Sequence, residues 1–438
     1  MWAVKSDDAS RTKQNWYITV DAGNTAEGWW NIRPQSKDNY FSNNGGGANK
    51  MGFWNSSSDD GSEFQFVLDE TDYSIPNSYY ELKRLQQECG GAKTDGPKIG
   101  QYTKETADAF NKVNSDAKTL LDDTTQPEND YAEMYNELLN AFNALEANLP
   151  EEGVLYRIRS ASTNDYCKDN LVYVDSENKP YFNKPADENL SNYVWLFEKN
   201  GGGYSMKNLH TQSYIETAGW GAQATLGATA SKITIDVLDN GANGHVRLNV
   251  NVSASYPLHA QDTGDKLVGY PGDLGSASAW CIEEVEVASA VHYPYTLTSV
   301  GYGTLMLGFD TQVPDGVKAY WAESVNGTSI EMIDLGKTIP ANTAVILKRN
   351  SEGAEELDLD FAYNSTQGAE LDGENMLAGT LYKSVVEVIN VEVGKNNRAY
   401  VMQAKNGDVK MYWAYANLDE KGERILRMKA RMTLVAIS

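Results

Sequence analysis

One phrase recurs along the chain and limits what it can fold into. "YRIRSASTNDYC" from Tyr156, "YSMKNLHTQSYI" from Tyr204 and "VRLNVNVSASYP" from Val246 each open on an apolar, a polar and another apolar residue. Each carries a Tyr ten positions on: Tyr166, Tyr214 and Tyr256. The units also close alike, in "SNYVWLFEK", "SKITIDVL" and "SASAWCIEEV". Such alternation marks strands with one buried face. Three consecutive units of about 45 residues are too few for a propeller. Each supplies about four short strands, and three such units can close into a barrel with no exposed edge. A position that stays aromatic in every unit is what a symmetric framework demands, so the three tyrosines read as core or turn residues.

That logic is the logic of a β-trefoil, and residues 151–288 resemble the ricin-B-like trefoil lectin superfamily. The resemblance rests on the threefold phrase and on Trp195 and Trp280 in the closing strands. The superfamily's Gln-x-Trp is replaced here by Tyr-Val-Trp and Ser-Ala-Trp. A further copy, "WNIRPQSKDNYF" from Trp30 with its Tyr40, ends in "GSEFQFVLDE" and follows the strand-like "NWYITVDAG". One unit cannot bury its own apolar face. Residues 1–72 are therefore expected to be a partial trefoil, truncated on its N-terminal side.

Residues 73–150 change to a period of three to four. Ala107, Phe110, Val113, Ala117 and Leu120 form one stripe, and Tyr131, Met134, Leu138, Phe142 and Leu145 another. Thr103 stands where an N-cap belongs, and Pro127 where an early helical proline is tolerated. With "NSYYELKRLQQEC" this predicts a three-helix bundle, a spacer that resembles the FIVAR modules of bacterial extracellular, carbohydrate-active proteins. Residues 289–438 return to strands such as "VKAYWAES", "TAVILKR" and "RAYVMQA", separated by Gly and Asn turns. A C-terminal β-sandwich is expected. The order of "SVGYGTLMLGFDTQVPDGVKAYWA", "KTIPANTAVILKR" and "NMLAGTL" resembles a C-terminal domain of secreted Bacteroidetes-type proteins, with Arg431 departing from its usual Lys-Ala-Tyr strand. The fold class is thus mainly β and multi-domain: trefoils, a helical spacer and a sandwich.

The formal charge is −24, from 61 acidic and 37 basic residues, which repels nucleic acid and anionic membrane surfaces. No apolar run is long enough to span a bilayer, and "MWAVKSDDAS" has no signal-peptide pattern. Cys89, Cys167 and Cys281 show no zinc spacing and allow at most one bridge, with Cys167 and Cys281 in one repeat region. The chain holds no nucleophile elbow, and its four histidines lack metal spacing. Asp59 and Asp60 do not follow the calcium-loop pattern and read as a solvated turn. None of the segments is large enough for an ordinary glycosidase domain. No catalytic residue, metal or cofactor is assigned.

Binding is the better expectation. Sugars offer hydroxyls and weakly apolar C–H faces, so their sites pair an aromatic platform with polar partners. Trp54, Tyr181, Trp220 and Tyr270 precede closing strands, and Trp220 lies between Gly219 and Gly221. The candidate ligand-binding residues are Trp220, Tyr270, Tyr181, Asp165 and His210, the last two from positions that differ between repeats. His259 reads as an ordinary surface or turn histidine. The resemblances imply a glycan or polysaccharide partner and an extracellular, cell-surface or periplasmic location. A purely structural or adhesive protein, or the accessory C-terminal part of a glycoside hydrolase or glycan-targeted peptidase, stays open beside that reading.

Overall fold

The computed structural model describes residues 75–349 apart from 218, 251–255, 271–275 and 327–328, together with the strands outside that span and residues 371–379 and 381. The Asp59–Asp60 turn, and Ser253 and Ser255 beside Tyr256, lie outside the described residues. The chain falls into two compact units, 1–76 and 77–438.

The first unit contains β1 (Trp16–Val20), β2 (Trp29–Pro34), β3 (Tyr40–Asn44), β4 (Lys50–Trp54) and β5 (Glu63–Gln65). β1 runs antiparallel to β2, β3 to β4, and β5 returns to β2 with Trp30 opposite Phe64.

The second unit opens with α1 (Asn77–Cys89), α2 (Lys104–Leu121) and α3 (Glu128–Asn143). Leu82, Ala107, Phe110, Ala117, Tyr131 and Leu138 are fully buried between them. A three-helix packing leaves the flanks of each stripe at its rim, so Val113, Leu120, Met134 and Leu145 are only half-buried and Phe142 is exposed. Thr103 takes the N-cap position of α2, but its hydroxyl pairs with Thr106 Oγ1 at 2.8 Å and caps no first-turn N–H.

The helices are joined directly to the barrel. Lys93, in the α1–α2 connection, is 7% exposed and lies over the rings of Phe110 and Phe142 at 5.2 and 5.6 Å. Its ammonium donates to the Cys89 carbonyl at 2.7 Å and to Asn240 Oδ1 at 2.8 Å, across to the 239–241 turn. Burial lowers its pKa, and those two acceptors keep the charged form in place. Thr94 N–H donates to the Asn240 carbonyl at 2.8 Å.

Twelve strands follow in three sets of four. The first set is β6 (Leu155–Ser160), β7 (Leu171–Val174), β8 (Pro180–Asn183) and β9 (Trp195–Lys199). The second is β10 (Tyr204–Asn208), β11 (Tyr214–Glu216), β12 (Thr225–Gly227) and β13 (Ile233–Val237). The third is β14 (Val246–Val250), β15 (Tyr256–Ala260), β16 (Leu267–Gly269) and β17 (Trp280–Glu284). The first and last strands of each set close a six-stranded antiparallel barrel in the order β6, β9, β10, β13, β14, β17 and back to β6. The middle strands form three hairpins. This is the arrangement of a β-trefoil. The opening residue of each lobe faces its own closing strand in the same register: Tyr156 opposite Trp195, Tyr204 opposite Ile233, Val246 opposite Trp280. Trp30 opposite Phe64 repeats that register in the first unit.

Trp195 and Trp280 are fully buried in the barrel core. Their indole N–H groups donate to equivalent carbonyls, Val172 at 3.1 Å and Leu258 at 2.9 Å. Cys167 is buried in the same core, and all three cysteines are free thiols.

The ten-residue tyrosine spacing does not survive as a symmetry. The third residues after the lobe starts, Arg159, Lys207 and Asn249, pair with Leu171, Tyr214 and Pro257. Tyr214 and Tyr256 begin hairpins, whereas Tyr166 sits in an extra turn ahead of β7. Strand pairing sets equivalence, and counting along the chain misses the inserted turn. All three rings are half-buried rather than core.

Beyond the trefoil the described strands form antiparallel sheets. One of them contains Tyr302–Leu305, Val345–Arg349, Val317–Asn326 and Ser329–Asp334 in that order. Its Leu305, Ala319, Val345 and Leu347 share a core with Leu155, Val194, Leu209 and Val285 of the trefoil, completed by Leu297 and Phe309.

Candidate functional site

The third hairpin builds most of the site by simple alternation. In β15 and β16 the residues Leu258, Ala260 and Leu267 point into the barrel core and are fully buried. Their neighbours His259 and Val268, which pair across the hairpin, take the other face. Tyr270 is the diagonal neighbour of His259 on that face, and the two rings stack at 4.9 Å with 27° between their planes. Gln261 extends the same face by one more alternation.

The second lobe supplies Trp220. Its hairpin loop runs beside β16: Gly221 N–H donates to the Gly269 carbonyl at 2.8 Å, Gly269 N–H to Ala222 at 3.2 Å, and Ala224 N–H to Leu267 at 2.7 Å. Gly219 and Gly221 have φ of +130° and +65°, conformations that an L side chain rarely adopts. A Cβ on Gly269 would lie 2.8 Å from the Gly219 carbonyl, so the close approach needs glycine there. The loop thereby holds Trp220 at the surface, 69% exposed, beside the 39%-exposed Tyr270. The first lobe contributes Tyr166 from its extra turn, whose hydroxyl donates to the Ala260 carbonyl at 3.2 Å.

Tyr166, Trp220, Gly221, His259, Gln261, Asp262, Val268 and Tyr270 line a cavity of about 470 Å³. His259 Nδ1 pairs with the buried Ser278 hydroxyl at 2.7 Å, which fixes the ring. Burial lowers the His259 pKa, against a smaller opposing pull from Asp262. The ring is therefore neutral at physiological pH. Between the lowered midpoint and the ordinary 6.5, the unfolded chain binds this proton more readily. Stability thus falls as the pH drops through that window. An NMR titration of the His259 ring is expected to give a midpoint below 6.5; one above it would contradict the burial.

The expected site residues separate. Trp220 and Tyr270 meet at this cavity. Tyr181 belongs to a ladder in the first lobe, 6.1 Å from Tyr173, which in turn stacks on Tyr193 at 5.0 Å. Asp165 is exposed beside Tyr166 and is not among the lining residues. His210 is 5% exposed, with Nδ1 3.0 Å from Ser191 Oγ and its ring on Tyr293 at 5.3 Å. It stands in the joint between the trefoil and the following strands, where a glycan has no access. His259, read as an ordinary turn residue, is instead the histidine of the cavity. The signal for it and for Gln261 was the polar half of the alternation in "PLHAQD"; Asp262 falls on the parity of Leu258 and Ala260 and had no such signal.

Among the described residues no group of three or more His, Cys, Asp or Glu is placed to hold a metal ion. Among them, too, no helix is long and apolar enough to cross a membrane.

No family model matches the chain, and no curated protein matches it. Among solved structures, the designed three-fold symmetric protein ThreeFoil aligns over 30% of this chain and 99% of its own, at 12% identity and a TM-score of 0.25. A ricin B-like lectin of Macrolepiota procera, solved with lactose, aligns over 31% of this chain and 99% of its own, at 17% identity and a TM-score of 0.26. A GlcNAcα1-4Gal-releasing endo-β-galactosidase from Clostridium perfringens aligns over 32% of this chain and 35% of its own, at 19% identity and a TM-score of 0.26. Likenesses of this size leave the description of the barrel to its own strand pairing.

Proposed function

We propose that the trefoil of residues 151–288 binds a glycan in the cavity between Trp220 and Tyr270, without catalysing its cleavage. Trp220 is the observation that carries this reading. A Trp left 69% exposed forgoes the burial that such a large apolar ring usually gains. Here two glycines in conformations open to glycine but not to an L side chain, and three backbone hydrogen bonds, hold it outward. The cavity, at about 470 Å³, is within the usual range for small-ligand sites. Its aromatic rings suit the C–H face of a pyranose, and Gln261, Asp262 and His259 offer partners for its hydroxyls.

In this reading the chain is the accessory region of a secreted or surface protein, and the trefoil holds that protein on polysaccharide or host glycan. The partial trefoil before residue 73, the FIVAR-like helices and a sandwich built from the C-terminal sheets are the proposed context, supported by the sequence resemblances. The shared cores and the Lys93 joint favour a second reading, a structural element whose stiffness is its purpose. A glycan array separates the two. The native protein is expected to retain a defined set of host or dietary glycans and Trp220→Ala to lose them. Silence of the native protein across the array would end the glycan reading.

A further inference from the structure

We infer that the cavity selects sugars bearing a free ammonium group, unsubstituted 2-amino sugars, over their N-acetyl or uronic counterparts. This rests on the glycan reading above and goes on to name the ligand's charge. Three aromatic rings, Tyr166, Trp220 and Tyr270, surround the cavity together with the carboxylate of Asp262, and among its described lining residues none is Lys or Arg. The negative face of each ring attracts an ammonium ion. Asp262 is exposed at the cavity, so it meets the same cation with an opposite charge. The chain's net charge of −24 raises the concentration of cationic ligands near its surface. His259, held neutral by burial, adds no opposing charge. N-acetylation removes the cation from the ligand, and a uronic carboxylate would face Asp262 with like charge.

Isothermal titration of the whole chain tests this with four probes: a β-1,4-linked glucosamine tetramer, its fully N-acetylated form, an oligogalacturonate and choline. The amino tetramer is expected to bind at least about fivefold more tightly than the acetylated one, with the preference shrinking as salt screens the exposed carboxylate. Asp262→Asn should bring the ratio close to one, whereas Asp262→Glu should keep it. Equal affinity for the amino and acetylated forms overturns the inference and leaves the glycan reading standing. A tighter oligogalacturonate does the same. Choline binding tighter than the amino tetramer would move the recognition to the ammonium alone and overturn the sugar assignment. Failure of all four probes in a protein that also stays silent on the array removes both readings.

Discussion

Trp280→Ala is expected to destabilise the second unit by about 3–5 kcal/mol, the range for deleting a buried aromatic ring from a close-packed core. Trp280 is fully buried, faces Val246 and Ser160 in the two neighbouring barrel strands, and donates its indole N–H to Leu258 at 2.9 Å. Removing it opens a void at the closure of the barrel and takes away the donor that ties the third hairpin to it. Trp195→Ala should act alike through Val172. In the second lobe the equivalent residue is Ile233, whose truncation should cost about 2–5 kcal/mol. Trp220→Ala, at the surface, should stay within about 0.5 kcal/mol. Urea unfolding followed by far-UV circular dichroism makes the comparison. A Trp280→Ala loss as small as that of Trp220→Ala would contradict the barrel register.

Gly241→Ala is the second large effect, expected at about 2–5 kcal/mol from two additive sources. Gly241 has φ of +83°, and a Cβ there would lie 2.8 Å from the Thr94 carbonyl and 3.0 Å from the Tyr102 ring. The left-handed conformation costs an L residue roughly 1–2 kcal/mol, and overpacking adds about 1–3 kcal/mol. Gly221→Ala is the control: it has φ of +65° but nothing within 4 Å of the added atom, so only the conformational part should appear. Limited proteolysis across 90–103 should also become faster in Gly241→Ala, because the clash parts the α1–α2 connection from the barrel. Equal stability of the two variants would mean that the helices do not dock on the 239–241 turn.

These two sites show what was legible beforehand. The repeated phrase carried the strand alternation, and the closing strands carried Trp195 and Trp280, so the barrel could be reasoned from local pattern. The helical stripes were read the same way, through Phe110, Tyr131 and Leu138. The docking of the helices was not legible, because Lys93 reaches Asn240 through a contact between residues remote in sequence. Nor was the status of Tyr166, since a count of ten is blind to an inserted turn. That turn is what brings a first-lobe ring to a cavity built by the other two lobes. His210 and His259 looked alike as loop histidines in the chain. Tertiary packing distinguishes them: one is closed over by Tyr293, and the other opens beside Tyr270. The exposure of Trp220 was legible because Gly219 and Gly221 supply no bulk to cover it.

The central claim is that glycan recognition resides at Trp220. Calorimetric titration of an array-identified glycan against the native chain, Trp220→Ala and Tyr181→Ala tests it most directly. Trp220→Ala is expected to weaken binding at least about tenfold, or about 1.4 kcal/mol, while Tyr181→Ala, in the first-lobe ladder, keeps the native affinity. Native affinity in Trp220→Ala, with the loss appearing in Tyr181→Ala instead, would place the site elsewhere and contradict the account.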